Sequence, residues 1–387
     1  MMTTSEPIPF TGIPFPKWEY QLRHEKVFKA MERFEIDALL VTAFHHQRYL
    51  TGYNGYGGYF RPFPVVFVPG RSPVYVIREY ELTGVRAYSC IDTFVTYTHL
   101  PDWPKAIGGV LKSYGVHDKR VGLQLGCWNL APKDVTELQA ELPNMKLVDA
   151  THLIPQLAAV KTDLELKVMR EAMAMTDIAV RTFQNSLRAG LSEEELSDTM
   201  TREVAKVGGE LWTTSTNIAF GERTKIPHGV ATSHQIKNNE PAMIEVGGAK
   251  HGYAAGIVRS AVLGRHPEAE FVHALAVDAL EEAFGAIKAG VTAASVDAAA
   301  RKVVRKSALP RAFRHRTGYH TGIHWGGRAN LSLEPESKDI LEAGMTFHMP
   351  VILFGESDIM IGCSEHVLVT DKGAELLSST PHTLHSA

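Results

Sequence analysis

Residues 241–264 read PAMIEVGGAKHGYAAGIVRSAVLG. The first part, Ala242-Met243-Ile244-Glu245-Val246, is an apolar, strand-like run with one carboxylate in it, followed by two glycines. A Glu isolated in a strand ordinarily faces water. These neighbours argue for burial, and paired glycines in a strand mark a place where another group approaches the backbone. Ionising a buried carboxylate is costly unless something pairs with it, so Glu245 is the first candidate for chemistry.

Around this stretch lies a faint internal repeat. LRAGLSEEELSDTMTREV at 187–204 matches IKAGVTAASVDAAARKVV at 287–304 in layout. In each, a helix stops at Gly, turns, and restarts at a Ser or Thr cap, Ser192 or Thr292. Alanine-rich helices precede both, and strand-rich stretches follow, at 209–264 and 345–371. Such a duplicated unit brings two sheets together about a pseudo-two-fold axis, with a cleft between them as the natural site. Upstream, helix and strand signals alternate. EYQLRHEKVFKAMERFEIDALLVT predicts an amphipathic helix running into a strand, FPVVFVPG and SPVYVIRE further strands, DWPKAIGGVLKSYG a helix and KRVGLQL a strand. This is an α/β unit with its own core. A long helix starts at KTDLELKVMREA, with Thr162 as its cap and Glu165 three residues on. We therefore expect an N-terminal domain over 1–158 and a C-terminal domain over 159–387, as a chain of 387 residues is too long for one small core.

Composition is that of an ordinary globular protein, 44% hydrophobic and 21% charged. A formal charge of −3 gives no sign of a nucleic-acid or membrane-surface partner. Cys90, Cys127 and Cys363 are scattered and form no CxxC, which argues against a disulfide framework or a thiolate zinc site. The first residues lack a basic and then apolar leader pattern, and no apolar run reaches the roughly 20 residues of a membrane helix. The expectation is a cytoplasmic protein.

Four further segments carry residues suited to chemistry. TNIAFGERTKIPHGVA at 216–231 offers His228 after a proline, and RHRTGYHTGIHWGG at 314–327 offers His320 among glycines. AGMTFHMPVILF at 343–354 and MIGCSEHVLVTDKG at 360–373 offer His348, Glu365 and His366. His348 sits in an apolar strand, where a satisfied core histidine and a ligand contact are both consistent. Glu365 and His366 are adjacent, so a regular strand points them to opposite faces.

In that order, VKTDLELKVMREA, TNIAFGERTKIPHG, IEVGGAKHGYAAGIVRS, GYHTGIHWGG, LEAGMTFHM and SEHVLVTDKG resemble the pita-bread family of methionine aminopeptidase, Xaa-Pro aminopeptidase, prolidase and creatinase. The resemblance implies an α/β N-terminal domain plus an α+β pita-bread C-terminal domain with the internal repeat. Metal-dependent members use two Asp eleven apart, then a His and two Glu, to hold a pair of divalent ions that activate a water. Glu245 stands at the first Asp position and Gly256 at the second. His320 fits the His, and Pro350 stands at the first Glu. Glu365 lies at the second Glu or one residue after it, since counting back from VLVT gives Ser364. Glycine and proline offer no ligand atom, so the expectation is no cofactor, with a single weakly held divalent metal as the lesser reading.

The chain thus resembles the creatinase-like, metal-free branch and is similar, in particular, to ectoine hydrolase. The resemblance rests on MIEVGG, Pro227-His228, the RTGY turn, LEAGMTFH, SEHVLVT and the N-terminal YLTGYNGYGGYF. It implies a small-molecule hydrolase acting on a C–N bond of a cyclic amidine, with Glu245 as nucleophile. Glu365 or His228 then supplies and removes protons, and His320 donates a hydrogen bond. Tyr53, Tyr56, Tyr59, Phe60, Tyr253, Trp325 and His348 are candidates to bind substrate, and Arg61, Arg259 and Arg328 to hold its carboxylate. The same resemblance implies a homodimer. Alternatives are a creatine amidinohydrolase, although Val258 stands where creatinase has its catalytic carboxylate, a metal-dependent Xaa-Pro peptidase, and a relative without activity that binds a partner. A sulfonium-compound lyase on the same fold needs the missing ligands.

Overall fold

A computed structural model describes residues 12–55, 60–212, 217–327 and 330–387. The chain divides into two compact units, Met1–Ala158 and Ala159–Ala387.

In the first unit the helices are α1 (Lys17–Arg33), α2 (Phe44–Thr51), α3 (Leu82–Tyr88), α4 (Trp103–Ser113), α5 (Pro132–Glu141) and α6 (Leu153–Ala159). The strands are β1 (Ala38–Val41), β2 (Val65–Phe67), β3 (Val74–Arg78), β4 (Thr93–Tyr97), β5 (Arg120–Leu123) and β6 (Lys146–Asp149), in the sheet order β4-β3-β2-β1-β5-β6. The β1–β5, β5–β6 and β3–β4 pairs are parallel, whereas β2 joins β1 and β3 antiparallel. Valine and leucine on β1, β3 and β5 pack with Trp103 and Leu111 of α4, which is how an apolar strand and an amphipathic helix each bury one face. Two candidates for substrate contact belong to this packing. Tyr53 is buried and edge-on to Tyr75, and Arg61 is ion-paired with Asp134 and Glu137. Phe60 lies on the surface of the unit, near Arg78. Tyr56, Tyr59 and Arg328 fall outside the described residues.

The second unit opens on α7 (Asp163–Ser186), capped as expected: the Thr162 hydroxyl accepts from the Glu165 N–H, and the Glu165 carboxylate accepts from the Thr162 N–H. After it come α8 (Glu193–Ala205), β7 (Glu210–Leu211), β8 (Asn217–Phe220), β9 (Glu240–Lys250) and β10 (Tyr253–Leu263). The second half repeats the plan with α9 (Pro267–Ala286), α10 (Ala293–Lys306), β11 (Gly318–His320), β12 (Ser332–Leu333), β13 (Thr346–Phe354), β14 (Met360–Thr370), β15 (Gly373–Leu376) and β16 (His385–Ser386). The repeat extends to backbone detail. Gly190 and Gly290 both take positive φ, 80° and 90°, and their N–H groups donate to Ile236 and Leu341. The Ser192 and Thr292 caps each form a single antiparallel bridge, to Gln235 and to Ile340.

One sheet runs β16-β10-β9-β7, with β8 also on β9, and the other runs β12-β11-β13-β14-β15. They meet where β10 lies beside β14. Side chains stitch this seam: the Val258 N–H donates to Ser364 Oγ (2.5 Å), the Gly256 N–H to His366 Nδ1 (3.2 Å), and Ser260 Oγ to the Gly362 carbonyl (2.8 Å). Helices α9 and α10 pack on the outer face of the second sheet through Ala276, Ala279, Leu280, Ala283 and Val296.

Candidate active site

Strands β9 and β10 pair in register, Glu245 opposite Val258 and Gly247 opposite Gly256. Side chains alternate along a strand, so Met243, Glu245 and Gly247 share one face with Val258 and Gly256. That face opens on a cavity of about 370 Å³. Its walls are Asn217 of β8, Met243 and Glu245 of β9, Tyr319 of β11, Pro350, Ile352 and Phe354 of β13 and Met360 of β14. Pro227 and His228 close it from one loop, and Arg314, His315 and Arg316 from another. Met243, Val258, Met360, Ile352 and Phe354 form an apolar wall. Glu245 is 7% exposed, and burial raises its carboxyl to about 7. His348 Nδ1 lies 3.9 Å from Glu245 Oε1. Burial, and His366 next to it, hold His348 well below the usual imidazole range, so that nitrogen brings no positive charge.

Of the candidate catalytic residues, the structure brings Glu245 and His228 to this cavity. His228 has φ +54°, in the left-handed region. Its loop is held by one carboxylate: Glu193, at the first position of α8, accepts from the N–H groups of Phe220 (3.0 Å) and Thr232 (2.9 Å), from the Thr232 hydroxyl (2.8 Å) and from Arg223 Nε (3.0 Å). Sequence reasoning missed this clamp.

His320 is a correction. It follows Tyr319 on β11, so it points away from the cavity and meets Lys161, with Nε2 and Nζ 2.6 Å apart. Burial lowers the Lys161 amine to about 7, against the pull of Glu165. Tyr253, expected to bind substrate, also lies on that side and donates to Glu165 Oε1 (2.8 Å). The cavity position belongs to Tyr319, overlooked because histidine chemistry drew the match one residue along.

Glu365 is the second correction. It faces away from the cavity, with Arg259 Nη2 at 2.7 Å and His382 Nε2 at 2.8 Å, and Ser378 Oγ donates to both its oxygens. Burial pushes its carboxyl up, but the His382 hydrogen bond and the Arg259 guanidinium outweigh that and leave it below the usual value. Arg259 thereby pairs with Glu365 and with the Ser364 and Thr380 carbonyls, its side chain buried on the face turned away from the cavity. Ser364, which pairs with Pro350 across β13 and β14, takes the inward face. His366 points opposite to Glu365, as strand alternation requires; burial lowers it to about 4.

Trp325 and His348 lie behind the cavity wall rather than on it. The indole rests on the Gly247–Gly256 pair, and a Cβ built on either glycine would come within 1.8 Å of its six-membered ring. Indole Nε1 donates to Tyr319 Oη (2.8 Å), Tyr319 Oη meets His348 Nδ1 (3.0 Å), and His348 Nε2 meets Ser364 Oγ (2.9 Å).

Residues 167–371 match the metallopeptidase family M24, and residues 23–160 match the creatinase/prolidase N-terminal domain. The chain belongs to the M24 family. Among M24 relatives it is 28% identical to the ectoine hydrolase of Halomonas elongata, over 96% of this chain and 98% of that protein. It is 24% identical to the Xaa-Pro dipeptidase of Pyrococcus horikoshii, over 93% and 97%. A solved Xaa-Pro dipeptidase from Bacillus anthracis superposes with a TM-score of 0.84 at 20% identity, covering 95% of this chain and all of that one. The pita-bread fold with a creatinase-type N-terminal domain is thus the fold of this M24 member, which is a hydrolase by family.

The family name implies metal ions, and the donor set here does not fit a pair of them. On the strands where the resemblance puts metal ligands, the residues turned to the inside are Glu245, Gly256, Tyr319, Pro350 and Ser364, a single carboxylate. Both nitrogens of His348 and of His366 are engaged by protein groups. The volume into which a side chain at 256 would project is filled by the indole. Among the described residues, no group of three or more His, Cys, Asp or Glu is arranged to hold a metal. None of their helices is long and apolar enough to cross a membrane.

Proposed function

We propose that this chain hydrolyses a C–N bond of a small cationic non-peptide substrate, a cyclic amidine such as ectoine, without a metal ion. One observation carries the reading: Glu245 is the single carboxylate lining the cavity, and no cationic side chain of the described residues pairs with it. A protonated amidine entering the cavity supplies the missing charge, which removes the cost of burying the ionised carboxylate. The same ion pair aims a Glu245 oxygen at the electron-poor carbon.

The steps balance with one water consumed. A Glu245 oxygen bonds to the amidinium carbon, and the ring C–N bond breaks as its nitrogen takes a proton from His228. Water then gives one proton back to His228 and adds to the carbon; as the bond to Glu245 breaks, the second water proton leaves the new carbonyl oxygen and goes to the released amine. The amidine has become an amide and an amine; from ectoine this gives N-acetyl-2,4-diaminobutyrate. Glu365 has no part in it, being held elsewhere. A homodimer belongs to the same reading.

A second reading, a Xaa-Pro peptidase, is favoured by the match along nearly the whole chain to the P. horikoshii dipeptidase. The test is turnover of ectoine, hydroxyectoine, creatine and Xaa-Pro dipeptides before and after dialysis against a chelator. Amidine hydrolysis that survives chelation supports the proposal. Dipeptide cleavage lost on chelation and restored by Mn or Co replaces it with the second reading.

A further inference from the structure

We infer that Tyr319 is a catalytic residue of this site, its hydroxyl an obligate hydrogen-bond donor into the cavity because its oxygen is filled by Trp325 and His348. The argument is an accounting of protons along the chain Trp325–Tyr319–His348–Ser364. Indole nitrogen only donates, so Tyr319 Oη accepts from it at 2.8 Å. At the other end, a backbone N–H only donates, so Ser364 Oγ accepts from Val258 at 2.5 Å. Between them stands His348, 0% exposed, whose two ring nitrogens touch Tyr319 Oη and Ser364 Oγ.

A neutral imidazole has one N–H and one bare nitrogen. If the proton is on Nε2, it goes to Ser364 Oγ, which then accepts twice, and the buried serine O–H has no acceptor among the contacts of that residue. If the proton is on Nδ1, it goes to Tyr319 Oη, and the serine O–H donates to Nε2. The second arrangement partners the fully buried Ser364 hydroxyl and leaves its one free proton on Tyr319, which lines the cavity; the first strands a proton on the buried serine, which is the costlier place for it. Tyr319 Oη then accepts twice, and its own proton must point outward. The space open to it is the cavity, where the Glu245 carboxylate flanks the same His348 nitrogen. The Arg316 guanidinium lies 4.5 Å over the Tyr319 ring and fixes the phenol from the outside.

An aimed phenol donor thus stands where metal-dependent relatives would use an ion as electrophile. Its proton is aimed to donate to the oxygen that water brings to the former amidine carbon. Trp325, His348 and Ser364 are positioning residues. The kinetic half of this inference rests on the proposed amidine hydrolysis; the proton assignment does not.

The deciding experiment is NMR of protein carrying 15N-labelled histidine, with His348 identified by the loss of its signals in His348→Gln. A protonated Nδ1 and a bare Nε2 are expected; the opposite tautomer overturns the inference. In parallel, Tyr319→Phe, its folding checked by thermal melt, is expected to lower kcat about 100-fold with little change in KM, the scale for removing one such donor. Ser364→Ala keeps the phenol but removes the group that selects the tautomer, and is expected to lower kcat about tenfold. A kcat for Tyr319→Phe near that of the parent also overturns the inference. If the parent protein hydrolyses no amidine, the proposed reaction falls while the nitrogen signals still decide where the His348 proton sits.

Discussion

Arg259 and Glu365 form an ion pair at 2.7 Å with both side chains 1% exposed, on the face of β10 and β14 turned away from the cavity. The pair joins the two sheets at their seam. Removing one member leaves a buried charge alone, which costs about 3–5 kcal/mol. Glu365→Gln is therefore expected to lower the melting temperature sharply, while the protein that remains folded keeps its kcat. A normal melting temperature with lost turnover would return Glu365 to the catalytic set.

The same carboxylate gives an acid limb to stability. Its folded value lies below the unfolded one, so its stabilisation is complete above the unfolded pKa and is lost as pH falls through the lowered folded value. Denaturant midpoints across the acid range should drop in the parent and stay flatter in Glu365→Gln.

Glu245 carries the opposite sign. Its folded carboxyl is raised to about 7, so the folded state holds a proton that the unfolded chain has given up. Stability from this group is highest in acid and declines as pH rises from the unfolded value near 4.5 to about 7. The total loss is of order a few kcal/mol. Glu245→Gln cannot ionise, so it should abolish turnover yet melt higher than the parent above neutral pH. An equal or lower melting temperature there would argue that a cation already neutralises the carboxylate.

Gly256 tests the plug of Trp325. An alanine methyl at 256 would fall 1.8 Å from a rigid ring packed on two strands, and overpacking of this kind costs about 1–3 kcal/mol. Gly256→Ala should be destabilised, and Trp325→Leu in the same chain should recover part of the loss. Full stability of Gly256→Ala alone would mean that the indole moves aside freely.

Metal titration supplies a fifth check. With one inward carboxylate and every nitrogen of His348 and His366 engaged, calorimetric titration with Mn or Co should show no binding in the micromolar range. Stoichiometric binding would require these histidines to release Tyr319, Ser364 and Thr321.

Much of this was legible in the residues. The repeat at 187–204 and 287–304, the Thr162 cap and the buried run around Glu245 are local patterns, and local patterns decide helices, caps and strands. What sequence alone misplaced lay one residue off. His320 and Glu365 have the side chains that catalysis favours, but their strands turn Tyr319 and Ser364 inward, and a slip of one residue in a strand exchanges the two faces. Trp325 had a signal that was not used. Gly247 and Gly256 sit opposite one another in paired strands, and two missing side chains facing each other announce that something broad lies over them. The Glu193 clamp had none, because its partners at 220, 223 and 232 are set by the path of a loop.

That clamp ties the helical framework to the chemistry through a single anchor. Four groups from either side of His228 converge on one carboxylate at the tip of α8, so the loop that carries His228 is held by a residue that does not line the cavity. Substitution of Glu193 would slacken one wall and leave the opposite wall rigid, turning a shaped vessel into an open dish.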